Sequence, residues 1–141
     1  MAEQFSFELV TPEGLIFQAN VYEALLPTPQ GQIGILPHHR KLTTVVVPGV
    51  ISIRHRETDT DMEHLATAGG FVEIEGRRVR LLADSAERAD DIDEMKAKEA
   101  LERAQELKKA AKDQVALADA LALIEQNTVR LKVAELKRRR R

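Results

Sequence analysis

Glycine and proline are confined to one part of this chain, and that confinement limits its fold more than any other feature. All seven glycines lie at or before Gly76, and all five prolines lie at or before Pro48. Glycine admits positive φ and close backbone approach, while proline fixes φ and removes a donor. The first part is therefore cut into short segments, and after Gly76 no residue obliges the chain to turn. Two modules are expected, with the change of grammar near Ser85 to Ala89: residues 1–86 built from strands, residues 87–141 helical.

The first module is organised around Gln30-Gly31-Gln32-Ile33-Gly34-Ile35-Leu36-Pro37-His38-His39. Gly31 and Gly34 shape a tight corner, and Pro37 bars continuation as a central strand. Strand-like runs flank it, Val21 to Leu26 before and Leu42 to Val47 after. The corner reads equally as a plain turn between strands and as a surface presented to a partner. Elsewhere Phe5, Phe7 and Leu9 alternate with Ser6, Glu8 and Val10, the period of a half-buried strand. Thr11-Pro12-Glu13-Gly14 is a turn, Pro48-Gly49 another, and Glu57 to Asp61 a solvated hairpin loop. Gly69-Gly70 is expected to permit a bulge or a close strand crossing. Many short strands at close spacing predict an antiparallel β-sandwich or barrel.

The second module carries helical periodicity. Asp90 or Asp91 is placed to cap it, with Asp93 and Glu94 in a first turn that favours acids. Ala97, Ala100, Leu101, Ala104, Leu107 and Ala111 form one stripe, mostly of small residues. The stripe loses register around Ala111 to Gln114, where Asp113 can cap a second helix. Leu117, Leu121, Ile124, Thr128 and Leu131 then line one face, with Val115, Ala118, Ala122 and Val129 beside it. The pair can fold back as an antiparallel hairpin, or straighten and bury its stripes against something else. The fold class is thus α+β, a strand-built sandwich or barrel followed by two helices.

The residue totals exclude several functions. No cysteine is present, which removes disulfides and thiolate metal sites, and aromatics are only 4% of residues, too few for a base-stacking platform. No apolar run approaches the roughly 20 residues of a membrane span. The start, Met1 to Phe5, lacks the pattern of a secretory signal, so a soluble chain is expected, peripheral to a membrane only through a partner. Adjacent His38 and His39 point apart in extended backbone and make a poor chelate. His55 and His64 are placed to face one another across a hairpin, a spacing explained by chance. No phosphate-binding loop, metal-ligand spacing or catalytic constellation is found, so no enzyme is predicted. Charge is uneven: residues 1–87 hold seven basic and twelve acidic side chains, residues 88–141 fourteen and eleven. The tail Lys137 to Arg141 favours an acidic partner, but the acidic first module argues against nucleic acid.

Read together, Thr11-Pro12-Glu13-Gly14, Gly31-Gln32-Ile33-Gly34-Ile35-Leu36-Pro37-His38-His39, Gly69-Gly70-Phe71-Val72-Glu73-Ile74, Ala86 to Asp93 and Leu131 to Leu136 resemble the epsilon subunits of bacterial F-type ATP synthases. The likeness runs in order through nearly the whole chain. It implies a sandwich and helical hairpin, and a rotor component with no chemistry of its own. Such a component joins the gamma subunit to the ring of proton-carrying c subunits, on the cytoplasmic face of the cell membrane. It implies that Gln30, Gly31 and Gln32 rest on the c ring, with Gln32 where relatives often carry glutamate, and that His39 lies toward gamma. It further implies that the helices extend to inhibit ATP hydrolysis, with Arg130, Lys132, Lys137 and Arg138 meeting acidic catalytic beta subunits.

Some members of that family bind ATP as a regulatory ligand between the helices, through an Ile/Leu-Asp-x-x-Arg-Ala motif. Here it reads Ile92-Asp93-Glu94-Met95-Lys96-Ala97, and Glu87, Arg103, Gln126 and Arg130 stand at the other matching positions. Lys96 replaces the motif arginine and Gln126 replaces another. Lysine cannot reproduce the bidentate fork of a guanidinium, so the resemblance predicts weak or no ATP binding and no resident cofactor. The alternative to a rotor subunit is a free-standing sandwich adaptor whose basic helical tail binds an acidic or nucleic-acid partner.

Overall fold

The computed structural model describes residues 3–139. Its strands are β1 (Phe5–Thr11), β2 (Gly14–Val21), β3 (Glu23–Thr28), β4 (Gly31–Ile35), β5 (Leu42–Val46), β6 (Gly49–Arg54), β7 (Glu63–Thr67), β8 (Gly70–Glu75), β9 (Arg78–Ala83) and β10 (Ala86–Arg88). They form two five-stranded sheets, in the orders β2-β1-β9-β8-β5 and β10-β7-β6-β3-β4. The chain then passes through a short 3-10 turn, Ala89–Asp91, into α1 (Glu94–Ala110) and α2 (Gln114–Arg139). All strand pairs are antiparallel except β1 with β9, which run parallel with Leu9 opposite Leu81.

Alternation builds the sandwich as the sequence predicts. Along β1 every odd position from Phe5 to Thr11 is buried and every even one is half-buried. Phe7, Leu9, Leu26, Ile35, Ile51, Ile53, Leu65 and Leu81 meet between the sheets with no exposed surface. Each such side chain contributes about 1.5–3 kcal/mol relative to exposure. The core cluster of buried side chains draws on neither helix, so the sandwich has its own core.

Two hairpins use the same turn. In Thr11-Pro12-Glu13-Gly14 and Thr28-Pro29-Gln30-Gly31 the threonine hydroxyl accepts from the N–H two residues on and donates to the glycine carbonyl. Each glycine has strongly positive φ, +123° at Gly14 and +112° at Gly31. Gly31–Ile35 is itself a strand, at the edge of its sheet, so the glycine-rich corner is the turn plus the strand that leaves it. It ends at Ile35, just before Pro37, as proline requires.

Gly69-Gly70 makes a close crossing without a bulge. A Cβ at Gly70 would fall 2.0 Å from the carbonyl oxygen of Leu82. The bulge sits elsewhere, where β1 and β2 shift register between Leu9 and Val10. His55 and His64 do not face one another: Nε2 of His55 is 3.0 Å from Glu63, and Nδ1 of His64 is 2.9 Å from Ser52. The hairpin register explains this, because Glu63 and His64 lie opposite Ile53 and Ser52.

The helices fold back on each other and dock α2 against β7 and β6. The N-cap of α1 is Asp93, whose carboxylate accepts from Lys96 N–H at 3.1 Å, and not Asp90 or Asp91, which the 3-10 turn absorbs. Asp113 caps α2 through Ala116 N–H at 2.8 Å. On α1 the seam follows the expected stripe in part: Ala97 and Ala104 are buried and Ala100, Leu101 and Ala111 half-buried, but Leu107 is exposed. On α2 it does not. The buried residues are Ala120, Asn127, Val133 and Ala134, while Leu117 and Leu121 remain exposed. Two residues seven apart on α1 and three on α2 (Ala120, Asn127, Ala134) define a narrow seam of small groups. Small facing residues let the helices approach closely, and that selects against the larger leucines.

Candidate functional site

The residues singled out by sequence fall into three places. The first is the exposed tip of the β3–β4 hairpin. Gln30, Gly31 and Gln32 all lie on the surface, held by the Thr28 turn. The tip is polar and carries no charge of its own. His39 is half-buried beyond the other end of β4, with Nδ1 2.7 Å from the carbonyl oxygen of Arg40. Its neighbour His38 adopts positive φ (+69°) and pairs with Glu3.

The second place is the outer face of the first sheet, and sequence reading missed it. Strand pairing sets Leu15 of β2 opposite Val10 of β1, Val10 opposite Leu82 of β9, Leu82 opposite Phe71 of β8, and Phe71 opposite Val45 of β5. Paired residues share a face, so one apolar row crosses all five strands. Leu15 is 57% exposed, Val45 54% and Phe71 42%. The bulge creates one end of the row by bringing Leu15 opposite Val10. The next row is polar: Glu8 lies 3.2 Å from Arg80 and 3.5 Å from Arg78, with Gln18 and Glu73 beside them. The apolar row lies toward the same end of the sandwich as the Gln30 tip, because Gly69 closes on Val46 and Pro48 while Gly49 closes on Pro27. The only signal in the sequence was apolar residues at outward positions of several strands, which single-strand alternation treats as noise.

The third place is the hairpin root. Arg130 on α2 reaches Glu87 on β10, its Nε 2.8 Å from Oε1 and its Nη2 3.5 Å from Oε2, and Nη1 donates to Asn127 at 2.9 Å. Glu87, Gln126 and Arg130 line a 330 Å³ cavity between sandwich and helix, together with Glu13, Thr67 and Ser85. Asp93 is engaged in capping, Lys96 is exposed, Ala97 is buried and Ile92 is half-buried. Arg103 stands apart, on a 1010 Å³ open groove between the helices that Leu123 and Asn127 also line. The cavity's one arginine is thus already neutralised by Glu87. Near the C-terminal end, Lys137 Nζ is 2.5 Å from Asp90, and Arg138 pairs with Glu94. Arg138 holds the Glu94 carboxyl below its ordinary range, first by its hydrogen bond and then by charge, and its own pKa rises in return. Lys132 lies 4.0 Å from Glu135 on its own helix. Arg140 and Arg141 lie outside the described residues.

Among the described residues no group of three or more His, Asp or Glu side chains is placed to hold a metal ion, and no helix is long and apolar enough to cross a membrane. What the surface offers is faces for other macromolecules. The fold defines a class: a β-sandwich with its own core, followed by a helical hairpin docked against it.

The comparisons narrow the class. Residues 4–89 match the family described as ATP synthase, Delta/Epsilon chain, beta-sandwich domain. An ATP synthase epsilon chain of Herpetosiphon aurantiacus is 38% identical over 133 residues, covering 94% of this chain and 96% of the relative. That of Moorella thermoacetica is 36% identical over 129 residues, covering 92% and 95%. The fold is shared with a chain of the Euglena gracilis mitochondrial ATP synthase, at TM-score 0.79 and 20% identity, covering 96% of this chain and 83% of that one. The chain belongs to the ATP synthase epsilon family, whose members are non-catalytic subunits of the complex.

Proposed function

We propose that this chain is a rotor subunit of the central stalk, fixed to gamma and resting on the c ring, which passes torque between ion flow and ATP synthesis. It sits at the cytoplasmic face of the membrane and touches the bilayer only through the complex. The observation that carries this reading is the pairing of two unlike faces at one end of a rigid sandwich. The uncharged tip of Gln30, Gly31 and Gln32 suits the polar loops of a c ring, and the apolar row suits permanent burial against gamma. His39, beyond the opposite end of β4, extends the gamma side. The coupling ion is taken to be the proton.

The hairpin supplies regulation. Extended, α2 carries Arg130, Lys132, Lys137 and Arg138 to acidic segments of the catalytic beta subunits and blocks hydrolysis; folded, as here, it does not. Charge sets the encounter and orientation of such a contact more than its affinity. ATP binds weakly or not at all, since Gln126 adds no charge, Lys96 is a point charge in solvent, and Arg130 is already paired. The test is truncation of the assembled complex's subunit from Asp113 onward. Assembly with gamma and the c ring should survive, and ATP hydrolysis should rise. Loss of gamma from the purified complex, or unchanged hydrolysis, would refute the coupling role or the inhibitory role respectively.

A further inference from the structure

Three ion pairs join α2 to the short segment that leads into α1: Arg130 to Glu87, Lys137 to Asp90 and Arg138 to Glu94. Each links groups more than forty residues apart in sequence; the first two must break if α2 leaves the sandwich, and the third if α2 leaves α1. The segment from Glu87 to Glu94 holds five acids and one arginine, so it is a compact negative surface. The helical seam above it is built of small groups, which give little apolar burial. Charge is therefore a substantial part of what keeps the root of the hairpin shut.

We propose that Glu87, Asp90 and Glu94 form an internal dock that mimics an acidic partner and competes with it for Arg130, Lys137 and Arg138. The inference rests on the reading that these cations meet acidic groups when the helices extend. One set of guanidinium and ammonium groups cannot serve both surfaces at once. The dock thus sets the threshold an external acidic surface must overcome, and the same pairs that close the hairpin make its release sensitive to ionic strength. Partly exposed pairs of this kind are individually weak and screened by salt, which suits a threshold that must be crossed in both directions.

The chain lacks cysteine, so labels can be placed at will. Spin labels at Gln18→Cys on β2 and Glu125→Cys on α2, both exposed positions, report the separation of sandwich and hairpin in the full-length subunit. In Asp90→Lys the open population should rise on the order of threefold at low salt. The charge swap Asp90→Lys with Lys137→Asp should return it to within about twofold of the parent. Raising salt should open the parent and have less effect on Asp90→Lys. A distance distribution unmoved by both Asp90→Lys and salt overturns the dock, as does a swap that fails to close the hairpin again. In the assembled complex Asp90→Lys should deepen inhibition of hydrolysis. Opening of the free subunit without that change supports the dock and refutes the inhibitory reading of α2, so the two fail separately.

Discussion

Replacing the three most exposed members of the apolar row should release gamma without unfolding the sandwich. The perturbation is Leu15→Thr, Val45→Thr and Phe71→Thr together. Threonine is β-branched, a shape that strands favour, so the sheet is preserved. Fully burying a side chain of this kind stabilises by about 1.5–3 kcal/mol. Roughly half of each remains exposed here, 57%, 54% and 42% in order. Covering that remainder is then worth about 1 kcal/mol per residue, or about 3 kcal/mol for the three. That corresponds to roughly a hundredfold in the dissociation constant for gamma. The assay is calorimetric titration of purified gamma with the native and triply substituted subunits. Thermal melting of the free subunit serves as the control and should move by less than about 5 °C, since these side chains face outward. Thr43→Ala, one row away in the polar band, should weaken binding less than about threefold. If the triple variant binds gamma within about threefold of the native chain while staying folded, the row is not the docking face and the argument from register fails.

Other consequences can be measured on the free subunit. Gly70→Ala places a methyl group 2.0 Å from the Leu82 carbonyl oxygen and 2.8 Å from Ala83 Cα, both backbone atoms with no flexible end to yield. It should cost about 3 kcal/mol or more by chemical denaturation, and a loss under 1 kcal/mol would show that β8 and β9 can separate freely. Asp93→Ala removes the cap of α1 and should cost about 1 kcal/mol in hairpin stability, read by amide exchange along α1, with no change in the sandwich. Because the Glu94 pKa is depressed in the folded hairpin, its pairing with Arg138 stabilises closure above the ordinary carboxylate range and is lost as pH falls through the folded pKa. Acidification should therefore loosen the C-terminal end of α2 from the start of α1, read by amide exchange at those two ends, and Glu94→Gln should blunt the response. Titration with ATP should give no micromolar binding; Lys96→Arg combined with Gln126→Arg should strengthen whatever weak binding exists.

The parts of this molecule legible in sequence were those governed by neighbouring residues. Glycine and proline placement separated strands from helices, although the boundary expected between residues 86 and 87 falls inside β10 (Ala86–Arg88); period-2 alternation marked the inward set of β1, and Thr11-Pro12-Glu13-Gly14 announced its own turn. The same chemistry in Thr28-Pro29-Gln30-Gly31 is masked by its setting, because Gly31 and Gly34 mark a corner without specifying the threonine turn that makes it. Three-residue β10 has too little length for any period to appear. Asp93 won the cap from Asp90 and Asp91 because the chain makes a 3-10 turn before the helix starts. The buried face of α2 failed for a tertiary reason: periodicity ranks residues by size, whereas Ala97 and Ala104 on the opposing helix admit only small partners. The apolar row was out of reach for a different reason. It exists only once five strands have a register, and one of its ends depends on a bulge that no local pattern marks.

That difference in legibility follows a difference in energetics. The sandwich buries phenylalanine, leucine, isoleucine and valine between two sheets, and its core cluster includes no helical residue. The hairpin buries mainly alanine, each adding little more than one methyl group, and leaves Leu107, Val115 and Leu121 in solvent. An element meant to stay closed would place those larger groups in the seam. Here they remain on the surface, where a second binding site can use them, while closure depends on small contacts and screened ion pairs. The second packing proposed for α2 would then need to differ from this one by only a small free energy, which a partner with a few favourable contacts can reverse. A larger core at the seam, as in Ala104→Leu with Ala120→Leu, should cost strain if the helices cannot move apart. If they can, it should lock the hairpin shut and relieve inhibition in the assembled complex. Unchanged inhibition in a demonstrably locked subunit would show that α2 never acts by leaving its dock.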